Sequence, residues 1–213
     1  MLRQSEASSS TLARPGTQPE YNQEERKQLL GIARQSILSL LEGSQARPPE
    51  PSPHLSESRG VFATLYLRGK LRGCVGFPAP LLPLYRAVIE SARAAAAEDP
   101  RFLPVGSEEA RDLQISLSIL SPVEAIRADE IEVGRHGLVI SLLGRRGLLL
   151  PQVPVEHGWS RVTFLEQTCL KAGLAANAWQ TGARIEAFTA ETFSEGGQED
   201  GARPQAVLGS SCG

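Results

Sequence analysis

The chain is poor in the features that would commit it to a specialised class. Of its 213 residues only three are cysteines, Cys74, Cys169 and Cys212. An odd, widely spaced set is no disulfide framework and suits a reducing compartment. No CxxC, HxxxH or HExxH pattern makes ligands converge, so no metal is assigned. Neither a Walker loop nor GxGxxG occurs, which removes the usual phosphate cradles. Excess charge is also lacking: 22 basic residues face 24 acidic ones, net −2, leaving no basic field to hold nucleic acid. No run approaches the roughly 18 apolar residues of a membrane span. The opening MLRQSEASSSTLARPG lacks the apolar region of a secretory signal, so a cytoplasmic location with no membrane partner is expected.

What is present is enough apolar material for a sizeable core. Hydrophobic residues make up 41%, compatible with one large domain or two subdomains sharing a core. Residues 1–20 and 196–213 are rich in small and polar residues and are expected to be disordered tails, leaving a domain over 21–195. Cys212 falls in the second tail and is given no role.

The segment from Asn22 to Gly43 carries Leu29, Ile32, Ala33, Ser36, Ile37 and Leu40 at helical spacing. Pro48, Pro49, Pro51 and Pro53 then predict a surface loop holding a solvated His54. GVFATLYLRGKLRGCVGF predicts a hairpin, Val61 to Leu67 and Leu71 to Val75, turning at Arg68-Gly69-Lys70. A second helix runs from Pro83 towards Pro100, with an alanine-rich face for close packing. DLQISLSILS alternates as a half-buried strand does. HGLVISLLGRRGLLLPQV predicts a hairpin across Gly144 to Gly147 with both faces covered, ended by Pro151 and Pro154. Ser160 and Gly173 frame a third helix, and ARIEAFTAETF is a last strand that a loop could interrupt. Helices among hairpins define an α+β fold with a mixed sheet rather than a βαβ winding.

For chemistry, the stretch GKLRGCVGF draws most notice. In a strand, residues i and i+2 leave on one face, so Arg72 and Cys74 are expected side by side, with Gly73 admitting backbone or ligand on the other face. A fixed cation beside a thiol favours the thiolate. The competing reading is a small buried hydrophobe on a hairpin, with an inert thiol. His136 is either a turn histidine or a base for the thiol proton, and His157 divides the same way. Gln152 and Glu156 follow the second hairpin, where loops carry function on rigid support. Cys169 shares an apolar helix face with Leu165 and Ala172 and reads as core, while Lys171 faces solvent or a cleft.

The ordered segments LRGCVGF, AAAAEDPRFLPV, SILSPVEAI, HGLVI, GLLLPQVPVEHGW and FLEQTCLKAGL resemble the AMMECR domain family, whose prokaryotic members are called AmmeMemoRadiSam system protein A. The resemblance covers residues 24 to about 195. LRGCVG matches the family hallmark LRGCIG with Val75 for isoleucine, a small volume change. The resemblance implies an α+β fold, its sheet mixed but largely antiparallel, in two unequal subdomains with a cleft between them. Leu71, Arg72, Gly73, Cys74 and Gly76 would bring the signature to that cleft. By similarity the partners would be a Memo-like protein and a radical S-adenosylmethionine protein, in a system that modifies a protein or other macromolecule. This chain is not the radical component, which needs three closely spaced cysteine thiolates.

Three readings follow. In the first, an enzyme uses Cys74 as nucleophile or redox thiol, Arg72 to stabilise its anion or bind an acid, and His136 or Glu156 to handle protons. In the second, a non-catalytic module docks a partner protein or peptide in a groove involving Leu71, Gly73, Gly76, Gln152 and Lys171. In the third, the signature only packs a tight hairpin. Whether the chain is an enzyme, and with which cofactor, is left open; a monomer or weak oligomer is expected.

Overall fold

A computed structural model describes residues 19–44 and 51–196. The expected tails (all but their innermost residues), Cys212, Pro48 and Pro49 lie outside the described residues. Helix α1, Gln23–Leu41, starts where expected: the Asn22 side chain accepts from the Glu25 N–H, and the Glu25 carboxylate accepts from the Asn22 N–H, a reciprocal cap. Its buried face of Leu29, Ile32, Ala33, Ser36 and Ile37 follows the predicted spacing. His54, expected in solvent, instead stacks on the buried Tyr21 ring at 4.9 Å, with Nδ1 2.8 Å from the Glu25 carboxylate.

Strands β1, Gly60–Leu67, and β2, Lys70–Phe77, form the predicted hairpin. The turn is shorter than expected, because Arg68 and Gly69 both take positive φ (51° and 75°) and Lys70 already pairs with Leu67. That backbone matches the right-handed twist of two paired strands. Helix α2, Leu84–Ala97, follows, then β3, Leu113–Leu120. A short β4, Glu124–Ala125, was not anticipated. The second hairpin joins β5, Gly137–Leu142, to β6, Arg145–Leu149. Its turn is Leu143-Gly144, φ 49° and 78°. Gly147 is a strand residue, where a Cβ would fall 2.4 Å from the Ala172 nitrogen.

The stretch after β6 does not stay irregular. Gln152–Glu156 forms a short helix, α3, which tolerates Pro154 because its first turn has few N–H groups to satisfy. Helix α4, Arg161–Lys171, is capped by the Ser160 hydroxyl, and Gly173 leaves it at φ 69° as anticipated. The expected last strand is two, β7, Arg184–Phe188, and β8, Ala190–Ser194.

That break is the topological centre of the molecule. β7 pairs in one four-stranded sheet, β4-β7-β5-β6, and β8 in another, β2-β1-β3-β8, so the chain changes sheets at Thr189. All pairings among the described strands are antiparallel. On the first sheet Val61, Ala63, Leu65, Ile115, Leu117 and Phe193 face α1 and α2 and bury the larger core with Leu29, Leu84, Val88 and Ala92. On the second, Leu138 and Ile140 meet Phe164, Leu165 and Cys169 of α4 in a smaller core. The sheets touch through Phe62, Leu120, Val139 and Phe188. β5 is therefore covered on both faces, as its apolar sequence predicts. The architecture is α+β with two unequal halves. No helix among the described residues is long and apolar enough to cross a membrane.

Candidate functional site around Cys74

β2 is an edge strand, and its surroundings follow from two glycines. A Cβ on Gly73 would lie 2.1 Å from the Ala95 carbonyl oxygen, so the missing side chain is what lets α2 pack against the strand. On the opposite face, a Cβ on Gly76 would meet the Phe62 ring at 2.4 Å. The space expected for a ligand beside these glycines is thus filled by backbone and an aromatic ring.

Arg72 does not follow simple alternation. Leu65 pairs with Gly73 and Tyr66 with Leu71, leaving Arg72 as the extra residue of a β-bulge. Its guanidinium enters the segment after α2. Nε donates to Glu109 Oε1 at 3.0 Å and Nη2 to Glu109 Oε2 at 2.8 Å. Nη1 donates to the Leu103 carbonyl at 2.8 Å and Nη2 to that of Pro104 at 3.2 Å. This fork engages most of the five N–H donors an arginine owns. The same hydrogen bonds hold the Glu109 carboxyl below the usual carboxylate range and raise Arg72. The charge expected to tune the thiol is neutralised by Glu109.

Cys74 is held from three sides. Its N–H, on the free edge of β2, donates to Asp99 Oδ2 at 2.8 Å, and its carbonyl accepts from Arg101 Nη2 at 3.4 Å. Asp99 and Arg101 are themselves paired at 2.7 Å, so one ion pair occupies the edge where another strand would bind. The Asp99 side chain is 3% exposed, and the Arg101 hydrogen bonds lower its pKa to about 2 against the cost of burial. The half-buried Cys74 thiol faces away from the helices and accepts the Thr64 hydroxyl at 3.3 Å. A hydroxyl donating to sulfur stabilises the thiolate over the thiol.

That contact begins a row. Cys74 stands opposite Thr64, Thr64 opposite Ser116, and Ser116 opposite Ser194, crossing all four strands. Ser194 donates to Ser116 at 2.9 Å, and two residues along, Ser118 and Thr192 bond at 2.9 Å. The alternation of LQISLSIL identified a polar face on β3, but the continuity of the row depends on strand order.

The remaining candidates except Leu71 belong to the second sheet's half. His136, at the entry to β5, accepts the Glu132 N–H at Nδ1, 3.1 Å away, and burial with Arg135 lowers its pKa. Gln152 and Glu156 sit exposed on α3; desolvation raises the Glu156 carboxyl above its ordinary value. Lys171 is exposed at the end of α4. His157 stacks on Trp159 at 4.6 Å. Cys169 is fully buried and its thiol pushed up by burial, as a core residue should be. Leu71 is half-buried opposite Tyr66. Among the described residues no group of three His, Cys, Asp or Glu side chains is placed to hold a metal ion. Sequence reading missed Thr64, Asp99, Arg101 and Glu109. The acids and Arg101 stand some 25 to 37 residues from the hairpin they secure, a separation no local pattern reveals.

A two-sheet α+β domain with an LRGC edge strand clamped by the segment after α2 defines a class that comparison identifies. The AMMECR1 family model matches residues 30–193, and the chain belongs to that family. It is similar to Protein MK0488 of Methanopyrus kandleri, 42% identical over 184 residues covering 81% of this chain and 89% of that one. A Thermococcus gammatolerans protein is 45% identical over 181 residues, covering 78% and 88%. Among solved structures, uncharacterised protein PH0010 from Pyrococcus horikoshii superposes with a TM-score of 0.68 at 42% identity, covering 79% of this chain and 90% of that one.

Proposed function

We propose that this AMMECR1-family chain works as a component of an AmmeMemoRadiSam-type system, acting on a protein or other macromolecule through a site centred on Cys74. Its partners in this reading are a Memo-like protein and a radical S-adenosylmethionine protein. The observation that supports it is the treatment of one side chain. Cys74 is only half-buried, its backbone is held on the free edge by Asp99 and Arg101, and its sulfur receives the Thr64 hydroxyl. A cysteine serving only to fill space needs no such donor.

The test is alkylation of the full chain by iodoacetamide across pH, with peptide mass analysis. Cys74 is expected to react faster than the same cysteine in a free peptide of residues 69–78, and Cys74→Ser to abolish the system's modification of its target while leaving the fold intact. A Cys74 slower than the peptide, with Cys74→Ser fully active, overturns the reactive reading. It would leave the second reading, a binding module. The Arg101–Asp99 occupation of the β2 edge argues that such a module uses the sheet face and not strand addition.

A further inference from the structure

The helix-free face of the first sheet carries Cys74, Thr64, Ser116, Ser118, Thr192 and Ser194, with Gln114 and Tyr66 beyond them. Its other end, Phe62 and Leu120, is docked on the second sheet. A solvated sheet face ordinarily carries charged side chains. Here the charges bordering it are already matched, Arg72 by Glu109 at 2.8 Å and Arg101 by Asp99 at 2.7 Å.

The hydroxyls, in contrast, have protons to spare. The Ser194 hydroxyl donates to Ser116, which leaves the Ser116 proton over. Ser118 and Thr192 leave another. Ser116 is 8% exposed, so little bulk water competes for its unspent donor when a ligand carbonyl approaches. Strands stand about 4.8 Å apart, so the Ser116 oxygen lies two strands, about 10 Å, from the Cys74 position along the row.

We propose that this row is the floor of a binding site for an uncharged, amide-bearing ligand, a stretch of polypeptide whose carbonyl oxygens accept the spare hydroxyl protons while it lies against the Cys74 thiol. An acidic ligand is disfavoured, since both neighbouring guanidinium groups are committed to carboxylates and a charge laid on neutral hydroxyls loses its water. The inference rests on Cys74 centring the functional site, but it concerns what that site selects.

The probes are iodoacetamide and iodoacetate, which react with a thiolate by the same displacement of iodide and differ in carrying an amide or a carboxylate. Second-order rate constants at Cys74 in the full chain are divided, amide over acid, and compared with the same ratio for the 69–78 peptide. The ratio is expected to be at least about threefold larger in the folded chain, the loss a carboxylate suffers where no cation is available to it. Ser116→Ala is expected to slow severalfold the reaction of an iodoacetyl-capped neutral dipeptide amide, which is long enough to span the row from Cys74, and to leave the rates of iodoacetamide and iodoacetate, which are too short to reach Ser116, unchanged; Ser116→Thr, which restores a hydroxyl, returns the lost rate. A folded-chain ratio equal to or below the peptide's overturns the inference even if Cys74 is fast. A slow Cys74 that keeps the raised ratio overturns only the reactive reading. A Cys74 inert to both reagents overturns both.

Discussion

Asp99→Asn offers the sharpest check on how the Cys74 edge is held. The carboxylate is almost fully buried and accepts four bonds: the Cys74 N–H at 2.8 Å, the Arg101 N–H at 3.1 Å, Arg101 Nε at 2.9 Å and Arg101 Nη2 at 2.7 Å. These lower its pKa from an ordinary 3.8 to about 2. Because the folded value is depressed, the stabilisation is fully present above the unfolded value and is lost as pH falls through the folded one. A depression of this size corresponds to about 2 kcal/mol of stability at neutral pH. Asparagine keeps an acceptor for Cys74 but cannot titrate or balance Arg101. Urea unfolding at pH 7 is expected to show the variant about 2 kcal/mol less stable. The gap between the two proteins should then close as pH is lowered from about 4 to below 2. Other carboxylates titrate in both proteins and cancel in the difference. A gap that stays constant down to pH 2 would refute the assignment of a buried, charged Asp99 to this edge.

Further outcomes follow from the same geometry. Gly73→Ala drives a methyl into the Ala95 carbonyl and is expected to cost about 3 kcal/mol, whereas Gly31→Ala, on an exposed face of α1 with no atom near the new Cβ, should gain about 1 kcal/mol; urea midpoints compare the pair. Arg72→Lys cannot reproduce the fork to Glu109 and two carbonyls, so amide exchange over residues 103–109 should quicken and stability fall by about 1–2 kcal/mol; unchanged exchange there would show the clasp to be idle. Thr64→Val removes the donor to sulfur. Alkylation of Cys74 at pH 7 is expected to slow severalfold, with Thr64→Ser restoring it.

Much of the fold is written locally. The Asn22–Glu25 cap, the alternation of LQISLSIL, the Ser160 cap and the terminating Gly173 each depend on residues within a turn or a strand of one another, so sequence alone determined α1, β3, α4 and the LRGC hairpin. It also determined the α+β class, and the ordered segments carried the family. Where local cues compete, the reading slipped. Positive φ at Arg68 and at Leu143, residues that usually avoid it, made both turns two residues long, Arg68-Gly69 and Leu143-Gly144, where Arg68-Gly69-Lys70 and Gly144 to Gly147 were expected. Tertiary structure alone decided that one apparent strand switches sheets at Thr189, that a bulge sends Arg72 to Glu109, and that a row of hydroxyls crosses three strands beside Cys74. The reason is separation along the chain: alternation says which side chains share a face of one strand, while only long-range pairing decides which strands, and therefore which charges and hydroxyls, stand next to one another.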